Sequence, residues 1–436
     1  MTDENSKIKP RNSLRVLRYR NFTIFWSGAL VSNTGSWMQS IAVPFVLYQM
    51  TNSTTWLGLG AFMAFFPALC VGPLAGSLSD RYDRKLVLLW SQSVMMIFAF
   101  SLWWVWISGW ASPEVILVLL ALSSTASGIS ISAWQAFIPQ LVPPADMLPA
   151  VRVNSMQFVA SRAFGPALAG LILAAYGPGT AFLLNAFSFV LVLIALAVIR
   201  PRMVARDRDV GNIREHFREA LRYINVHPAL KSPVVIIMVI SFFGSSVIQL
   251  IPALAEGQFA VGKSQYGFLV AAFGAGAILG SIFVSVRADH YLRSQVALVG
   301  IFIYAAGEII LAATNFYAVG VAGMLVMGWA YVLLATALNT SIHAQVDEAY
   351  RGRVISIYLM GLLAGAPLGA LAQGLLASWI GLAPTIILAG ATLSVCGLIA
   401  QFRFNGLRAL DENLEIETGR ASDLIIGTPP SIASLD

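Results

Sequence analysis

The stretch Gly76-Ser-Leu-Ser-Asp80-Arg81-Tyr-Asp83-Arg84-Lys85 places five charged side chains in the six positions from 80 to 85, between two long apolar runs. Charge at that density does not lie in hydrocarbon, and short loops rich in Lys and Arg stay in the cytoplasm. The stretch therefore marks one side of a membrane. Outward from it, apolar runs recur from Phe22 onward and basic residues fall in alternate gaps: Lys7 to Arg20, Arg152, Arg200 to Lys231, Arg287 to Arg293, Arg351 to Arg353, and Arg403 onward. The other gaps hold only Lys263, and Arg162 lies inside an apolar run. This alternation predicts an even number of spans, both termini cytoplasmic, in a multi-pass protein of the cell membrane.

Composition agrees: 58% of residues are hydrophobic and 11% charged, against roughly 25% charged in a soluble domain. A span needs about 20 mostly apolar residues. Twelve are read, near 22–48, 57–79, 86–107, 115–138, 153–175, 180–199, 232–256, 265–286, 296–314, 317–341, 354–378 and 383–402. They are numbered 1 to 12 below. The net charge of +6 sits in loops beside spans, where anionic lipid headgroups rather than nucleic acid are the nearer partner. Cys70 and Cys396 fall within spans, so no disulfide is expected. The polar, basic start precedes a first span too long for a signal peptide, and cleavage is not expected.

The chain repeats itself weakly. Gly35, Gln39 and Pro44 in span 1 match Gly244, Gln249 and Pro252 in span 7. Asp80 and Arg84 match Asp289 and Arg293, an offset of 289 − 80 = 209. Arg152 matches Arg353, an offset of 353 − 152 = 201 that also carries Pro166 onto Pro367. The expected organisation is a cytoplasmic segment 1–21, a six-helix bundle 22–200, a linker 201–231, a second six-helix bundle 232–404 and a cytoplasmic tail 405–436. In the linker, Ile213, Phe217, Ala220, Leu221 and Ile224 recur at helical spacing opposite Arg214, Glu215, Arg218, Glu219 and Arg222. That pattern suits either the headgroup boundary or a solvated helix packed on the bundles. The polar tail has too little apolar surface to order itself.

The opening stretch resembles the loop 2–3 signature of the major facilitator superfamily, with Asp83 where the superfamily usually has Gly. The resemblance implies an all-α membrane fold of twelve transmembrane helices in two pseudo-symmetric six-helix bundles. It also implies a cytoplasmic latch, in which Gly76, Asp80, Arg81, Arg84 and Lys85 meet the N-terminus of span 11 near Arg353. On physical grounds Gly76 permits close helix approach, and a carboxylate at Asp80 suits a helix N-terminus carrying roughly +0.5 charge. A plain loop anchored by its basic residues is the alternative.

Span 5 carries Arg162, Gly165, Pro166 and Gly170, which resemble the span 5 motif of the superfamily's exporters. Gly-Pro kinks a helix. Arg162, some nine residues into the span read from the sequence, lies roughly 13 Å deep at about 1.5 Å per residue. It could hold an anionic part of the substrate, pair with a carboxylate during the cycle, or bond to helix carbonyls between the halves. Glu308 and Glu256 are the candidate carboxylates for proton coupling, each with a packing or loop-charge alternative. Polar stripes suggest a cavity from Asn33 and Gln39 on span 1, Ser127 and Trp134 on span 4, Ser245 and Gln249 on span 7, and Trp329 and Asn339 on span 10. Spans 1, 4, 7 and 10 line the central cavity in the superfamily.

Arg84-Lys-Leu-Val-Leu88, Pro252-Ala-Leu-Ala-Glu256, Tyr266-Gly-Phe-Leu269 and Arg351-Gly-Arg-Val-Ile-Ser356 resemble the enterobactin-exporter and macrolide-efflux branch. That likeness implies export of a small lipophilic or siderophore-like molecule in exchange for protons; a monomer without cofactor or metal is expected. A membrane-embedded enzyme fits less well. The four His residues lie in or beside cytoplasmic loops, and no paired carboxylates, His cluster or phosphate loop appears. A non-coupled facilitator or sensor also remains open.

Overall fold

In the computed structural model, residues 13–201, 213–287, 292–347, 350–403 and 411 are described. They form long helices, which with their continuations are Arg20–Thr51, Thr54–Arg81, Arg84–Ile107, Pro113–Phe137, Met147–Tyr176, Pro178–Val198, Pro228–Gln258, Lys263–Arg287, Arg293–Ala313, Tyr317–Gln345, Arg351–Ile380 and Leu382–Arg403 for spans 1 to 12. Eleven are long and apolar enough to cross a membrane. The remaining one, span 1, has 32 residues. At about 1.5 Å per residue it is long enough to cross, but Asn33, Thr34, Ser36, Gln39 and Ser40 dilute its apolar character.

Local chemistry sets the ends. Pro113, Pro178 and Pro228 each stand in the first helical turn, where the missing N–H costs nothing. Ser112 accepts the Val115 N–H at 3.3 Å and caps span 4. Gly177 and Gly381, between spans 5 and 6 and spans 11 and 12, have φ +80° and +92°, a backbone that L side chains avoid. Span 7 is broken: an α-helix to Phe243 gives way at Gly244 to a 3₁₀ stretch, Ser245–Leu250, and then to a π turn, Leu254–Gln258.

Packing repeats between the halves. Span 1 lies on 5 and 6, span 2 on 4, and span 3 on 4 and 6; correspondingly span 7 lies on 11, span 8 on 10, and span 9 on 10 and 12. The halves meet reciprocally, span 2 against 11 and span 5 against 8. These are the two six-helix bundles expected. The linker pattern forms a helix, Ile213–Val226, with Ala220 and Ile224 buried. It therefore packs on the protein while Phe217 and Leu221 remain exposed. Most of the tail lies outside the described residues. Asp411 is buried and accepts the Ser294 N–H at 3.1 Å, capping the start of span 9.

A second internal correspondence appears in three dimensions. Ahead of span 1, a 3₁₀ segment, Ser13–Arg18, brings Arg15 into an ion pair with the buried Asp146, to which the Tyr19 hydroxyl donates at 2.6 Å. Ahead of span 7, the linker-helix Tyr223 hydroxyl donates to Asp347 at 2.7 Å and its ring stacks on Tyr350 at 4.2 Å. The two aspartates are separated by 347 − 146 = 201, the offset that relates Arg152 to Arg353. Each half is thus clasped by a Tyr–Asp hydrogen bond before its fifth helix. The bond to Asp146 raises the Tyr19 pKa; burial, and then the bond to Asp347, raises that of Tyr223.

Candidate functional site

The halves touch at the end away from the basic loops, called here the far end. A Cβ on Gly267 of span 8 would stand 2.1 Å from the Cα of Gly170 of span 5, and one on Gly374 of span 11 would stand 3.1 Å from the Cα of Gly58 of span 2. Only glycine admits such backbone approach. The Thr54 hydroxyl donates to the Gly374 carbonyl at 2.9 Å. The Tyr266 hydroxyl donates to the Ile41 carbonyl at 3.0 Å while its ring stacks on Phe45 at 5.4 Å. Toward the basic end a Cβ on Gly72 or Gly352 would meet nothing within 4 Å among the described residues.

Below this seal lies a cavity of about 420 Å³ between the halves, within the range of small-molecule sites, about 300–1,000 Å³. Trp37, Arg162 and Pro166 wall it from the first half, and Phe273, Tyr331 and Asn339 from the second. Ser281 and Thr336 add hydroxyls. Spans 1, 5, 7, 8, 10 and 11 contribute to this wall; span 4 of the expected set is not among the described lining residues, and the spans beyond that set are 5, 8 and 11. They do so because they cross between the halves.

Arg162 is the one charged side chain on this wall among the described residues. Span 5 begins at Met147, earlier than its apolar run suggested, so Arg162 lies near the middle of a 30-residue helix, about 22 Å from its start at 1.5 Å per residue. It is exposed to the cavity. Its guanidinium carbon lies 5.4 Å from the Trp37 ring of span 1 and 5.5 Å from the Tyr331 ring of span 10, both within cation–π range. Among the described residues it has these ring contacts and neither a carbonyl nor a carboxylate partner. Gly165 gives span 1 its place, since a Cβ there would come within 2.4 Å of the Trp37 Cβ.

The sequence candidates scatter. Asn339 lines the cavity. Gln39 accepts a hydrogen bond from Asn185 of span 6 at 2.7 Å, inside the first half. Trp134 is buried against Phe25 at 4.4 Å, and Ser127 is half-buried on the same span 4. Trp329 packs on Phe283 at 5.5 Å, against the backbone of Gly276 and Gly280. Ser245 and Gln249 lie in the 3₁₀ break of span 7. The Asn33 amide nitrogen is buried without a hydrogen-bond partner among the described residues. Helical periodicity identifies a polar stripe, but hydrogen bonds within a bundle produce the same stripe as a wet wall.

Both candidate carboxylates are placed. Glu256 stands half-buried in the π turn, with Gln49 and Lys263 as polar neighbours. Glu308 is fully buried on span 9, and neither carboxyl oxygen has a hydrogen-bond partner among the described residues. A bare carboxylate there would be uncompensated, so the group needs a proton or a partner. Tyr304, one turn earlier on the same helix face, is also buried, with an unpartnered hydroxyl. Its ring is 6.3 Å from Tyr331. Glu308, Tyr304, Tyr331 and Arg162 therefore form a line from the core of the second half to the cavity, which separate apolar runs do not reveal.

The loop 2–3 residues divide. Arg84 donates to the Ala136 carbonyl at 2.9 Å and Lys85 to the Ile199 carbonyl at 2.7 Å, so the basic pair covers the C-terminal ends of spans 4 and 6. Asp83 caps span 3 by accepting the Lys85 N–H at 2.7 Å, with φ −62°. No left-handed turn is needed there, which accounts for the absence of Gly. Arg81 is exposed. Gly76 and Asp80 belong to the last turns of span 2, in 73–80, where side chains lie outside the described set. Arg353 pairs with Glu219 of the linker helix at 2.8 Å.

Comparison with known proteins agrees with this architecture. A family model described as transmembrane secretion effector matches residues 12–420. Macrolide efflux protein A of Streptococcus pyogenes is 22% identical over 89% of this chain and 97% of its own. The enterobactin exporter EntS of Escherichia coli is 26% identical over 77% of this chain and 80% of its own. The crystal structure of a bacterial homologue of the human lysosomal transporter Spinster, inward-facing and unoccupied, superposes with a TM-score of 0.71 at 15% identity, covering 90% of this chain and 98% of that one.

Proposed function

The chain belongs to the transmembrane secretion effector family of the major facilitator superfamily, and from that premise we propose that this membrane transporter exports a small lipophilic or siderophore-like molecule by alternating access, in exchange for protons. The observation that carries the reading is the cavity walled by both halves and sealed at one end by the Gly170–Gly267 and Gly58–Gly374 contacts. A site between two bundles that touch beyond one end of it is the geometry that rocking exposes to each side in turn. The efflux activity in the relatives' names supports the outward direction.

In this reading, which the positive-inside tendency of the basic loops supports, that end and both termini are cytoplasmic in a cell-membrane protein. The described arrangement then faces inward. Arg353, held by Glu219 here, is free to exchange that partner for the end of span 2 at Gly76 and Asp80 when the basic end closes. Glu308 is the coupling group of this reading: it is buried without a hydrogen-bond partner among the described residues, one turn from Tyr304, whose ring lies 6.3 Å from the cavity-lining Tyr331.

Proteoliposomes loaded with the neutral fluorescent lipophile N-phenyl-1-naphthylamine or an iron-free catecholate test the reading. Extrusion driven by an imposed proton gradient and abolished by a protonophore is expected. Flux indifferent to the gradient would leave a facilitator, and absence of flux for a broad compound panel would overturn export.

A further inference from the structure

The cavity's own chemistry narrows what it accepts. Arg162 is its one charged side chain among the described lining residues, and no carboxylate shares the wall. A guanidinium is always protonated, and its N–H groups form a planar fork that fits a carboxylate through two parallel hydrogen bonds. Here two aromatic rings, one from each half, lie 5.4 and 5.5 Å from the guanidinium carbon. Such ring contacts stabilise the charge without supplying an oxygen acceptor to its N–H groups. Those donors have no hydrogen-bond partner among the described residues, although the side chain lies near mid-helix, where an uncompensated charge is costly. Around it Ile41, Phe273, Ile278 and Leu362 present an apolar wall.

We propose that this cavity is a receptor for a lipophilic carboxylate, whose oxyanion pairs with Arg162 while its apolar body lies against the wall and the Trp37 and Tyr331 rings. Lipophilic cations are disfavoured by the same charge. The proposal rests on the reading of this cavity as the transport site and goes further by naming the class of cargo. It also explains why the two rings come from opposite halves: the ion that meets the ligand is held by both moving parts, so pairing of Arg162 alters a contact that spans them.

The test is direct binding to the purified full-length protein, using tritiated 1-naphthoate, its cationic counterpart 1-naphthylmethylamine and neutral 1-naphthalenemethanol. Saturable naphthoate binding is expected, with at least about tenfold weaker binding of the amine and the alcohol. Arg162→Gln is expected to lower naphthoate affinity at least about tenfold. Arg162→Lys, which keeps the charge but loses the fork, should fall between, and Arg218→Gln on the linker helix should change nothing. Size-exclusion profiles establish that each variant is folded, and the lysine variant preserves the test if the glutamine variant is not. Absence of saturable naphthoate binding, equal binding of the amine, or naphthoate affinity unaltered in Arg162→Gln would overturn the proposal. Any of these leaves vesicle extrusion of other compounds intact, whereas loss of extrusion with naphthoate binding preserved would overturn transport and keep the site.

Discussion

Gly267→Ala should bias the protein away from the arrangement described here. The added Cβ would stand 2.1 Å from the Gly170 Cα, and backbone on both sides cannot move aside as a side-chain tip would. Restoring an ordinary contact of about 3.4 Å requires the two helices to separate by roughly 3.4 − 2.1 = 1.3 Å, and overpacking on this scale typically costs about 1–3 kcal/mol. As a bias on a two-state equilibrium, that is about 5- to 150-fold against far-end closure. The assay is labelling of Ser281→Cys, on the cavity wall, by an impermeant maleimide, after replacement of Cys70 and Cys396. In intact cells Gly267→Ala should raise labelling from outside, and in inverted vesicles it should lower labelling from the cytoplasmic side. A folded variant with unchanged labelling from both sides would refute the argument that the glycine contact is the far-end seal.

Three further outcomes follow from the same geometry. Glu308→Gln, which keeps the shape and removes the titratable group, should abolish gradient-driven extrusion while leaving counterflow exchange across proteoliposomes; extrusion that still follows the gradient would remove Glu308 from the coupling role. Asp83→Ala should cost about 1 kcal/mol through loss of the cap on span 3, read as a lower melting temperature in detergent, and Asp83→Asn should recover most of it. Asp146→Ala removes a buried acceptor of charge-assisted bonds and should cost about 2–3 kcal/mol, whereas breaking the exposed Arg353–Glu219 pair by Glu219→Ala should cost under about 1 kcal/mol; a reversed order would contradict the assigned burial.

Much of the fold is written in short-range features. Apolar run length and the side on which Arg and Lys fall suffice for the spans, because hydrocarbon admits little else. Span 1 shows where that signal weakens: its polar residues serve contacts such as Asn185–Gln39, which composition alone cannot separate from a solvent-facing stripe. The break in span 7 was less legible, since Gly244 meets the Tyr304 ring, a residue of another span. Span 5 begins at Met147, ahead of its apolar run, because Arg152 and Asn154 lower the hydropathy of its first turns; counted from the apolar run alone, Arg162 lies shallower than mid-helix.

The site divides similarly. Arg162 stood out as an ion inside an apolar run, and its depth follows from one helix. Its two ring partners do not, because Trp37 and Tyr331 come from helices far away in sequence. The aspartate pair Asp146 and Asp347 keeps the 201-residue offset of Arg152 and Arg353, but nothing in the sequence singles it out. It acquires meaning only when Tyr19 and Tyr223 arrive from segments ahead of spans 1 and 7.

Paired spin-label distances at both ends of one protein test the central claim most directly. Labels at Tyr176 and Trp379 report the far end, and labels at Tyr82 and His343 the basic end; all four positions are exposed and each pair spans the halves. On acidification or on addition of transported compound in lipid nanodiscs, one distance should lengthen as the other shortens. Distances that change together, or not at all while transport proceeds, would contradict two halves rocking about an enclosed cavity.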